Sequence, residues 1–155
     1  MFDGVHMHTY SPAMPKATQL DACNCFATRQ AARHITRLYE RHLSTANITS
    51  AQFSILVALA QQSRMNMSEL AGALVMDRTT LLRAIKPLQR DGLVLSKPGS
   101  RDTRQLVFAL STVGRRKLKQ AQGHWQAAQR EFESQVGAKR ATRMRRDLLA
   151  LAKQG

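Results

Sequence analysis

Acidic residues, aromatic residues and cysteine are all scarce in this sequence of 155 residues. Asp and Glu number 10 against 24 Lys and Arg, which gives a formal net charge of +14. So large an excess of positive charge causes electrostatic repulsion within a folded domain unless a polyanion or an acidic surface offsets it. Nucleic acid is the first partner to consider, and a membrane surface is the second.

Further absences narrow the class of protein. No stretch approaches the roughly 18 consecutive apolar residues of a membrane span, so the sequence predicts no transmembrane helix. Residues 1–19 have no apolar core, so they do not predict a signal peptide. Cys23 and Cys25 are too few and too close together for a disulfide framework. We therefore expect a cytoplasmic, nucleoid-associated protein in a reducing compartment, with no membrane partner.

The histidines and cysteines of the sequence lack the neighbouring residues that a catalytic or metal-binding site needs. His6 and His8 lie within residues 1–19, an aperiodic segment that we expect to be a mobile arm. Two histidines without a further ligand do not make a metal site. No acid, oxyanion loop or glycine-rich phosphate loop accompanies Cys25 and the histidines along the chain. We expect neither an enzyme nor a bound cofactor.

Hydrophobic periodicity predicts helices in the first half of the chain. Apolar or small residues recur every three to four positions from Asp21 to Leu43, as on one face of a long amphipathic helix. Thr49 and Gln52 match a capping box, which predicts a second helix over about 50–61.

The next elements match a helix-turn-helix. A capping box formed by Asn66 and Glu69 predicts the start of a short helix, and Asp77 is the predicted cap of the next helix. That helix runs to about Asp91 and ends at Gly92, which is expected in the left-handed conformation. Two short helices in this arrangement, the second rich in basic residues, are typical of a DNA-reading unit whose second helix is the recognition helix.

A β wing and two long helices complete the predicted fold. Strands over 93–97 and 106–110 enclose a turn, as in a hairpin, and helices follow over about 112–135 and 139–153. The fold class is mainly α with a small β wing, a winged helix-turn-helix between N- and C-terminal dimerisation helices. We expect a flexible arm over 1–19, a helical dimerisation region over 20–48 and 111–155, and a DNA-binding domain over 49–110.

Basic charge concentrates where the DNA-binding domain is predicted. Residues 77–119 contain 11 basic and three acidic residues, so they carry +8 of the net charge. A solvated charged face is the alternative, but charge that coincides with a helix-turn-helix and wing is what duplex DNA requires. One such unit rarely binds tightly alone, so we expect a homodimer with recognition helices about 34 Å apart on a palindromic site.

Side chains at the start of the recognition helix are candidates for reading bases in the major groove. There Arg bridges guanine O6 and N7, and Thr contacts a thymine methyl or a phosphate. The candidates are Arg78, Thr79, Thr80 and Arg83, with Lys86 expected further along the helix as a phosphate contact.

The predicted wing adds a second set of DNA contacts. Arg101 and Arg104 suit the narrow minor groove, whose negative potential attracts a guanidinium. Asp102 either orients Arg104 through a salt bridge or caps the turn. Lys97, on the first strand, is a further candidate DNA contact.

Pro87 conflicts with the predicted recognition helix. It removes one backbone hydrogen bond and clashes with the carbonyl group of Arg83, at a cost of about 3 kcal/mol. We therefore expect a bent or loosened turn around 83–87, beyond the base-reading residues.

The order of these elements resembles that of the MarR family of bacterial winged-helix transcription regulators. The resemblance covers about residues 20–153 and is most specific over 67–94 and 99–118. Asp102-Thr103-Arg104 matches the Asp-x-Arg of the family's wing, and the segment from Leu110 matches the Leu-Ser/Thr-x-x-Gly of the next helix. The resemblance implies a homodimeric repressor on a palindromic promoter site. It also implies release by a small aromatic or phenolic effector, with acyl thioesters as a further class.

In this family, effectors lodge between the dimerisation helices and the winged domain. Here that region corresponds to the first helix, the second helix and the start of the long helix. The resemblance implies an effector pocket with an apolar wall and with cationic side chains that can pair with the carboxylate of an effector. In the alternative, those cationic side chains are surface or dimer-interface residues. The candidates are Arg33, His34, Arg37, Tyr39, Phe53 and Met67.

Cys25 supports a different sensing mechanism. The run from Asn24 to Ala27 resembles the start of the first helix in the organic-hydroperoxide-sensing branch, where a cysteine is the peroxide target. A helix N-terminus and nearby cations favour the thiolate. Arg29 and Gln30 stand where that branch has an activating Tyr, and most buried cysteines are inert. A further alternative is a protein that coats duplex DNA with little sequence preference, an architectural DNA-binding protein. The net charge agrees with that function, but the threonines beside arginines on the predicted recognition helix indicate base reading instead.

Overall fold

The computed structural model describes residues 20–99 and 104–153. These residues fall into two units, one ending at His34 and the other beginning at Ile35. In the first unit, a short 3-10 turn, Leu20–Ala22, precedes the start of helix α1, Asn24–Leu43. The described side chains of this unit are exposed except for Phe26, which is half-buried.

The second unit holds the rest of α1 and all later elements. These are the 3-10 turn Ser44–Ala46, α2 Ser50–Gln61, β1 Met65–Asn66, α3 Met67–Leu74, α4 Arg78–Arg90, β2 Val94–Pro98, β3 Leu106–Leu110, α5 Thr112–Val136 and α6 Ala138–Ala152. This is the predicted winged helix-turn-helix with flanking helices, and the mainly α fold class is confirmed.

Short polar side chains fix where the helices begin, as predicted. The capping boxes of Thr49 with Gln52 and of Asn66 with Glu69 are both complete. Asp77 caps α4, and Ser111 caps α5 by accepting from the backbone N–H of the third helical residue. Each cap satisfies N–H groups that the first turn of a helix leaves unpaired.

The wing belongs to a three-stranded antiparallel sheet with strand order β1-β3-β2. The predicted hairpin is confirmed, with Val94 paired to Leu110 and Pro98 to Leu106. The third strand, β1, was not predicted, because two residues carry no alternating pattern. Its pairing of Met65 with Phe108 joins the start of the helix-turn-helix to the wing.

The core lies between the C-terminal end of α1, α2, the helix-turn-helix, the sheet and α5. Its largest fully buried side chains come from each of these layers except α5, which contributes the small residue Ala121 and the nearly buried Leu118. These fully buried side chains are Leu43, Ile55, Leu56, Leu59, Leu70, Leu81, Ile85, Leu88 and Val94. Each buried aliphatic side chain contributes roughly 1.5–3 kcal/mol relative to an exposed one.

Helix α4 accommodates its proline. It runs unbroken from Arg78 to Arg90, so the loosened turn predicted at 83–87 does not interrupt the helix. Pro87 still accepts a hydrogen bond from the N–H of Asp91 at 2.9 Å. Gly92 follows with φ of +70°, the left-handed conformation that was predicted.

The turn between α3 and α4 contains a strained residue. Val75 has φ of 51° and ψ of 46°, and its side chain is 73% exposed. A β-branched residue in this left-handed region is a genuine outlier, with a cost of about 1–3 kcal/mol. The turn that joins the two helices therefore stores backbone strain.

The start of α5 approaches the end of α4 and the start of β2 very closely. The Ser111 hydroxyl donates to the Gly92 carbonyl oxygen at 2.6 Å, and the Ser111 N–H donates to the Leu93 carbonyl oxygen at 3.1 Å. A Cβ atom on Gly114 would lie 2.1 Å from that Leu93 oxygen. Only glycine allows α5 to lie this near the wing.

We expect Gly114→Ala to destabilise the protein by about 1–3 kcal/mol, because the new methyl group meets backbone atoms that cannot rotate away. Thermal and urea unfolding measure this change. Gly123→Ala, on the same helix and with open space around it, is the matched control. It should leave stability unchanged or raise it by up to about 1 kcal/mol. Equal effects of the two substitutions would contradict the steric argument.

Candidate nucleic-acid interface and ligand cavity

Helix α4 buries one face and presents another. Leu81, Ile85 and Leu88 are at most 1% exposed and fasten the helix to the core. The opposite face is exposed and carries most of the predicted base-reading residues. Its members are Arg78, Thr79, Leu82, Arg83 and Lys86. Thr79, Leu82, Arg83 and Lys86 follow the i, i+3, i+4, i+7 spacing of a single helix face.

Thr80 has a structural partner in addition to its predicted DNA role. Its N–H donates to Asp77 Oδ1 at 2.8 Å, and its hydroxyl donates to Asp77 Oδ2 at 2.6 Å. These hydrogen bonds, above all the one from the Thr80 hydroxyl, lower the pKa of Asp77 below its usual value. The only hydroxyl proton of Thr80 is therefore used within the chain.

Leu82 was missed as a candidate DNA contact. It is 39% exposed between the arginines of the α4 face. Its spacing of three residues from Thr79 was the available signal. An exposed apolar side chain among base-reading residues suits contact with a thymine methyl group.

The wing residues are described only in part. Lys97 is exposed on β2, paired with Val107 of β3, and Arg104 is exposed just before β3. The predicted contacts Arg101 and Asp102 lie outside the described residues.

Two residues counted in the basic segment have partners within the chain. Lys117 is half-buried, and its Nζ donates to the Ala46 carbonyl oxygen at 3.1 Å. Arg90 forms an exposed salt bridge with Asp91 at 2.9 Å. The other described basic residues of the segment are exposed, and they lie on α4, on or beside the wing strands, and at the start of α5, where they are Arg115, Arg116 and Lys119.

A cavity of about 270 Å³, here called the Tyr39 cavity, lies between α1, α2 and α5. Two of the predicted effector residues, Tyr39 and Phe53, line it. The full lining is Ile35, Thr36, Tyr39, Leu43, Ser50, Phe53, Ser54 and Trp125. Trp125 was not predicted, because it lies far along the chain from Phe53 and only the fold brings the two rings together.

Aromatic and hydroxyl groups dominate the Tyr39 cavity. The rings of Phe53 and Trp125 stack with centroids 6.1 Å apart. The Tyr39 hydroxyl donates to Gln129 Oε1, and burial raises the pKa of Tyr39 against a smaller opposing effect of Arg145. Tyr39 is therefore a neutral hydrogen-bonding group at neutral pH.

The other predicted effector residues lie elsewhere. Met67 packs against the core, and neither Met67 nor Arg37 is among the described residues that line the Tyr39 cavity. Arg33 and His34 belong to the first unit, where both are exposed on α1. The effector role of these four residues stays a prediction.

Polar contacts join α1 to α2 and α5. Glu40 Oε1 accepts from the N–H and the hydroxyl of Ser50 at 2.9 and 2.6 Å, which joins α1 to α2. Glu131 accepts from His42 at 2.6 Å and Arg41 at 2.7 Å, which joins α1 to α5. These partners, His42 first, lower the pKa of Glu131.

The two cysteines lie at the start of α1 and are both exposed. Cys23 Sγ accepts from the N–H of Phe26 at 3.4 Å, so Cys23 takes the position of a helix cap. Cys25 follows in the first turn of the helix. Among the described residues, no cluster of three or more His, Cys, Asp or Glu side chains is placed to hold a metal ion.

Across the described ranges, no individual helix has the length and apolar content needed to cross a membrane. Asn24–Ala46 with Ser50–Gln61 passes that test only as a pair, which is bent by 73°.

Comparison with known proteins gives consistent matches. The MarR family model matches residues 48–106. The homoprotocatechuate degradative operon repressor of Escherichia coli is 31% identical over 113 residues, which are 72% of this chain and 74% of that protein. The organic hydroperoxide resistance transcriptional regulator of Bacillus subtilis is 27% identical over 90 residues, 58% of this chain and 61% of that protein. The last match thus spans less than two thirds of the relative's length.

Solved structures agree with the sequence matches. The M. tuberculosis transcriptional regulator MosR, determined in complex with DNA, has a TM-score of 0.74 and 36% identity. That similarity covers 85% of this chain and 95% of MosR. With the capped recognition helix, the three-stranded wing and the flanking long helices in place, this chain belongs to the MarR family of winged-helix transcriptional regulators.

Proposed function

We propose that this chain is a homodimeric, sequence-specific DNA-binding repressor that leaves a palindromic promoter site when a small aromatic or phenolic molecule binds. The observation that carries the proposal is the exposed face of α4, where Thr79, Arg83 and Lys86 follow one another along a helix anchored by three buried residues. The protein acts on double-stranded DNA in the cytoplasm and has no catalytic role.

The DNA-binding part rests on position as well as on charge. The basic side chains project from the face of α4 opposite the core, where a major groove can receive them. The M. tuberculosis relative was solved in complex with DNA. Arg78 and Arg83 are proposed to read bases, and Lys86, Lys97, Arg101 and Arg104 to contact phosphate or the minor groove, with Asp102 orienting Arg104.

The dimer is supported by apolar surface at the C-terminal end. Helix α6 packs against α5 through the buried Ala141. Leu148, Leu149 and Leu151 of the same helix are 48–61% exposed. Leu148 and Leu151 are three residues apart and share one face of the helix, which association with a second copy would remove from water.

The effector part rests on the Tyr39 cavity. Its stacked aromatic rings and hydroxyl groups suit an aromatic ring that bears a hydrogen-bonding substituent. The E. coli relative is named as the homoprotocatechuate degradative operon repressor. The proposed effector contacts are all six predicted residues, which are Arg33, His34, Arg37, Tyr39, Phe53 and Met67.

We expect Arg83→Ala to weaken binding to the specific site by about 1–3 kcal/mol and to relax the preference at one base pair. Titration against the site and against scrambled DNA, by fluorescence anisotropy, measures both effects. Arg143→Ala, an exposed arginine on α6, serves as the control and should change neither. Equal losses on both duplexes, with a specificity ratio below about tenfold, would favour the architectural alternative.

Arg104→Ala should weaken binding and reduce the steepness of its salt dependence by about one unit, because one phosphate contact fewer releases fewer counterions. The affinity is measured between low and high salt on the same duplex. An unchanged slope would remove Arg104 from the phosphate and minor-groove contacts.

A thiol-based redox sensor is the second candidate function. Cys25 is exposed in the first turn of α1, and the B. subtilis relative is named as an organic hydroperoxide resistance regulator. In such a sensor the thiolate attacks the peroxide oxygen, which gives a sulfenic acid and releases the alcohol.

If Cys25 is the sensor, cumene hydroperoxide should release the protein from DNA, and Cys25→Ser should prevent release while Cys23→Ser does not. Gel-shift titration before and after treatment gives the comparison. Identical DNA retention by the treated wild type and Cys25→Ser proteins would exclude this function.

A further inference from the structure

A groove larger than the Tyr39 cavity lies on the outer face of the wing sheet. Its volume is about 850 Å³, within the range of small-molecule sites. Among the described residues, its lining shares none with the Tyr39 cavity. We call it the wing groove, and the side chains that define it are Arg64, Glu69, Leu95, Lys97, Val107 and Ala109.

The register of the sheet explains why these side chains share one face. Lys97 pairs with Val107, and Leu95 pairs with Ala109. Successive residues of a strand point to opposite faces of a sheet. Phe108, between Val107 and Ala109, is buried in the core. The wing groove therefore lies on the face of the sheet that points away from the core.

The floor of the wing groove is aliphatic. Val107 and Ala109 lie half-buried along β3, the central strand, and Leu95 beside them is 47% exposed. Apolar surface of this kind gains free energy when a ligand covers it. Since the described lining contains no aromatic ring, the floor can contact an aliphatic chain through side chains of the same kind.

A cation lies on each side of this floor. Arg64 directly precedes β1, Lys97 lies on β2, and both side chains are exposed. Strands β1 and β2 flank β3, so their backbones are two inter-strand spacings apart, about 10 Å. Within residues 20–99 and 104–153, neither side chain has a hydrogen-bond or ion-pair partner. Both charges are therefore available to a ligand.

The acidic side chain of the groove already has a partner. Among the described residues of the lining, Glu69 carries the one negative charge. Its Oε2 accepts from the Asn66 N–H at 2.7 Å, as part of the capping box of α3. Two cations thus face one carboxylate that is bound to backbone, and the wing groove combines an aliphatic floor with an excess of positive charge.

We propose that the wing groove binds a soluble amphiphilic anion, an aliphatic chain that ends in a carboxylate. The chain covers Leu95 and Val107, and the carboxylate lies between Arg64 and Lys97, whose long side chains keep their charged ends in water. Because the groove is open, the charges stay hydrated and each ion pair contributes modestly. This site is separate from the effector site of the proposed function and requires neither a second copy nor DNA.

Octanoate is the probe, and NMR spectra of the isotope-labelled full chain at neutral pH report where it binds. We expect saturable shifts of the backbone amide signals of β2 and β3 and of the methyl signals of Leu95, Val107 and Ala109. Butyrate, with four methylene groups fewer, should bind at least about fivefold more weakly because it covers less of the floor. Octylammonium, with the same chain and the opposite charge, should also bind at least about fivefold more weakly.

Variants test the two parts of the groove. Arg64→Gln and Lys97→Gln each remove one cation and should weaken octanoate binding about two- to fivefold, as expected for an exposed ion pair. Arg116→Gln removes an exposed cation of α5 and is the matched control, which should leave the affinity unchanged. Leu95→Ser should weaken binding at least about threefold by removing apolar floor. Ala109→Leu, which fills the floor, replaces Leu95→Ser if that protein does not fold.

Several outcomes would overturn the proposal. Shifts centred on Trp125 would place octanoate in the Tyr39 cavity instead, and octylammonium that binds as tightly as octanoate would remove the role of charge. Equal affinities of Arg64→Gln, Lys97→Gln and the control would exclude the cations. Binding to phosphatidylglycerol vesicles without binding to free octanoate would assign the groove to a membrane surface. None of these measurements uses DNA, so their outcome is independent of the proposed function.

Discussion

The fold depends on the close approach of α5 to the Leu93 carbonyl group. Gly114 makes the approach possible, and the two hydrogen bonds of Ser111 to the Gly92 and Leu93 carbonyl oxygens hold it. Leu93 lies between the end of α4 and the start of β2. One contact therefore joins the recognition helix, the wing and the long helix. Their mutual positions are set by backbone atoms and by one short side chain, that of Ser111.

Local chemistry explains why so much of the fold could be predicted from the sequence. The starts of α2, α3, α4 and α5 follow from the side chains of Thr49, Asn66, Asp77 and Ser111, each of which bonds to backbone only three residues away. Strand β1 could not be predicted, because two residues become a strand only when Phe108 and Val107 pair with them.

The residues of the candidate site also divide into those that local sequence fixes and those that tertiary packing brings together. The exposed face of α4 could be predicted because a helix face is a local property. The Tyr39 cavity could be predicted only in part, since Trp125 meets Phe53 through tertiary packing. The cations expected to neutralise a carboxylate were assigned by family resemblance, and their role stays a prediction. The left-handed backbone of Val75 has no signal in the sequence, because valine rarely adopts it.

Helix α5 is long enough that a small rotation at one end produces a large displacement at the other. Its 25 residues extend over roughly 37 Å, and its first turn is fastened to the wing while its far end continues into α6. A tilt of about five degrees at the fastened end displaces the other end by about 3 Å over that length. Small movements within the winged domain are thus amplified along α5, and a displacement of its far end returns to the wing as a rotation.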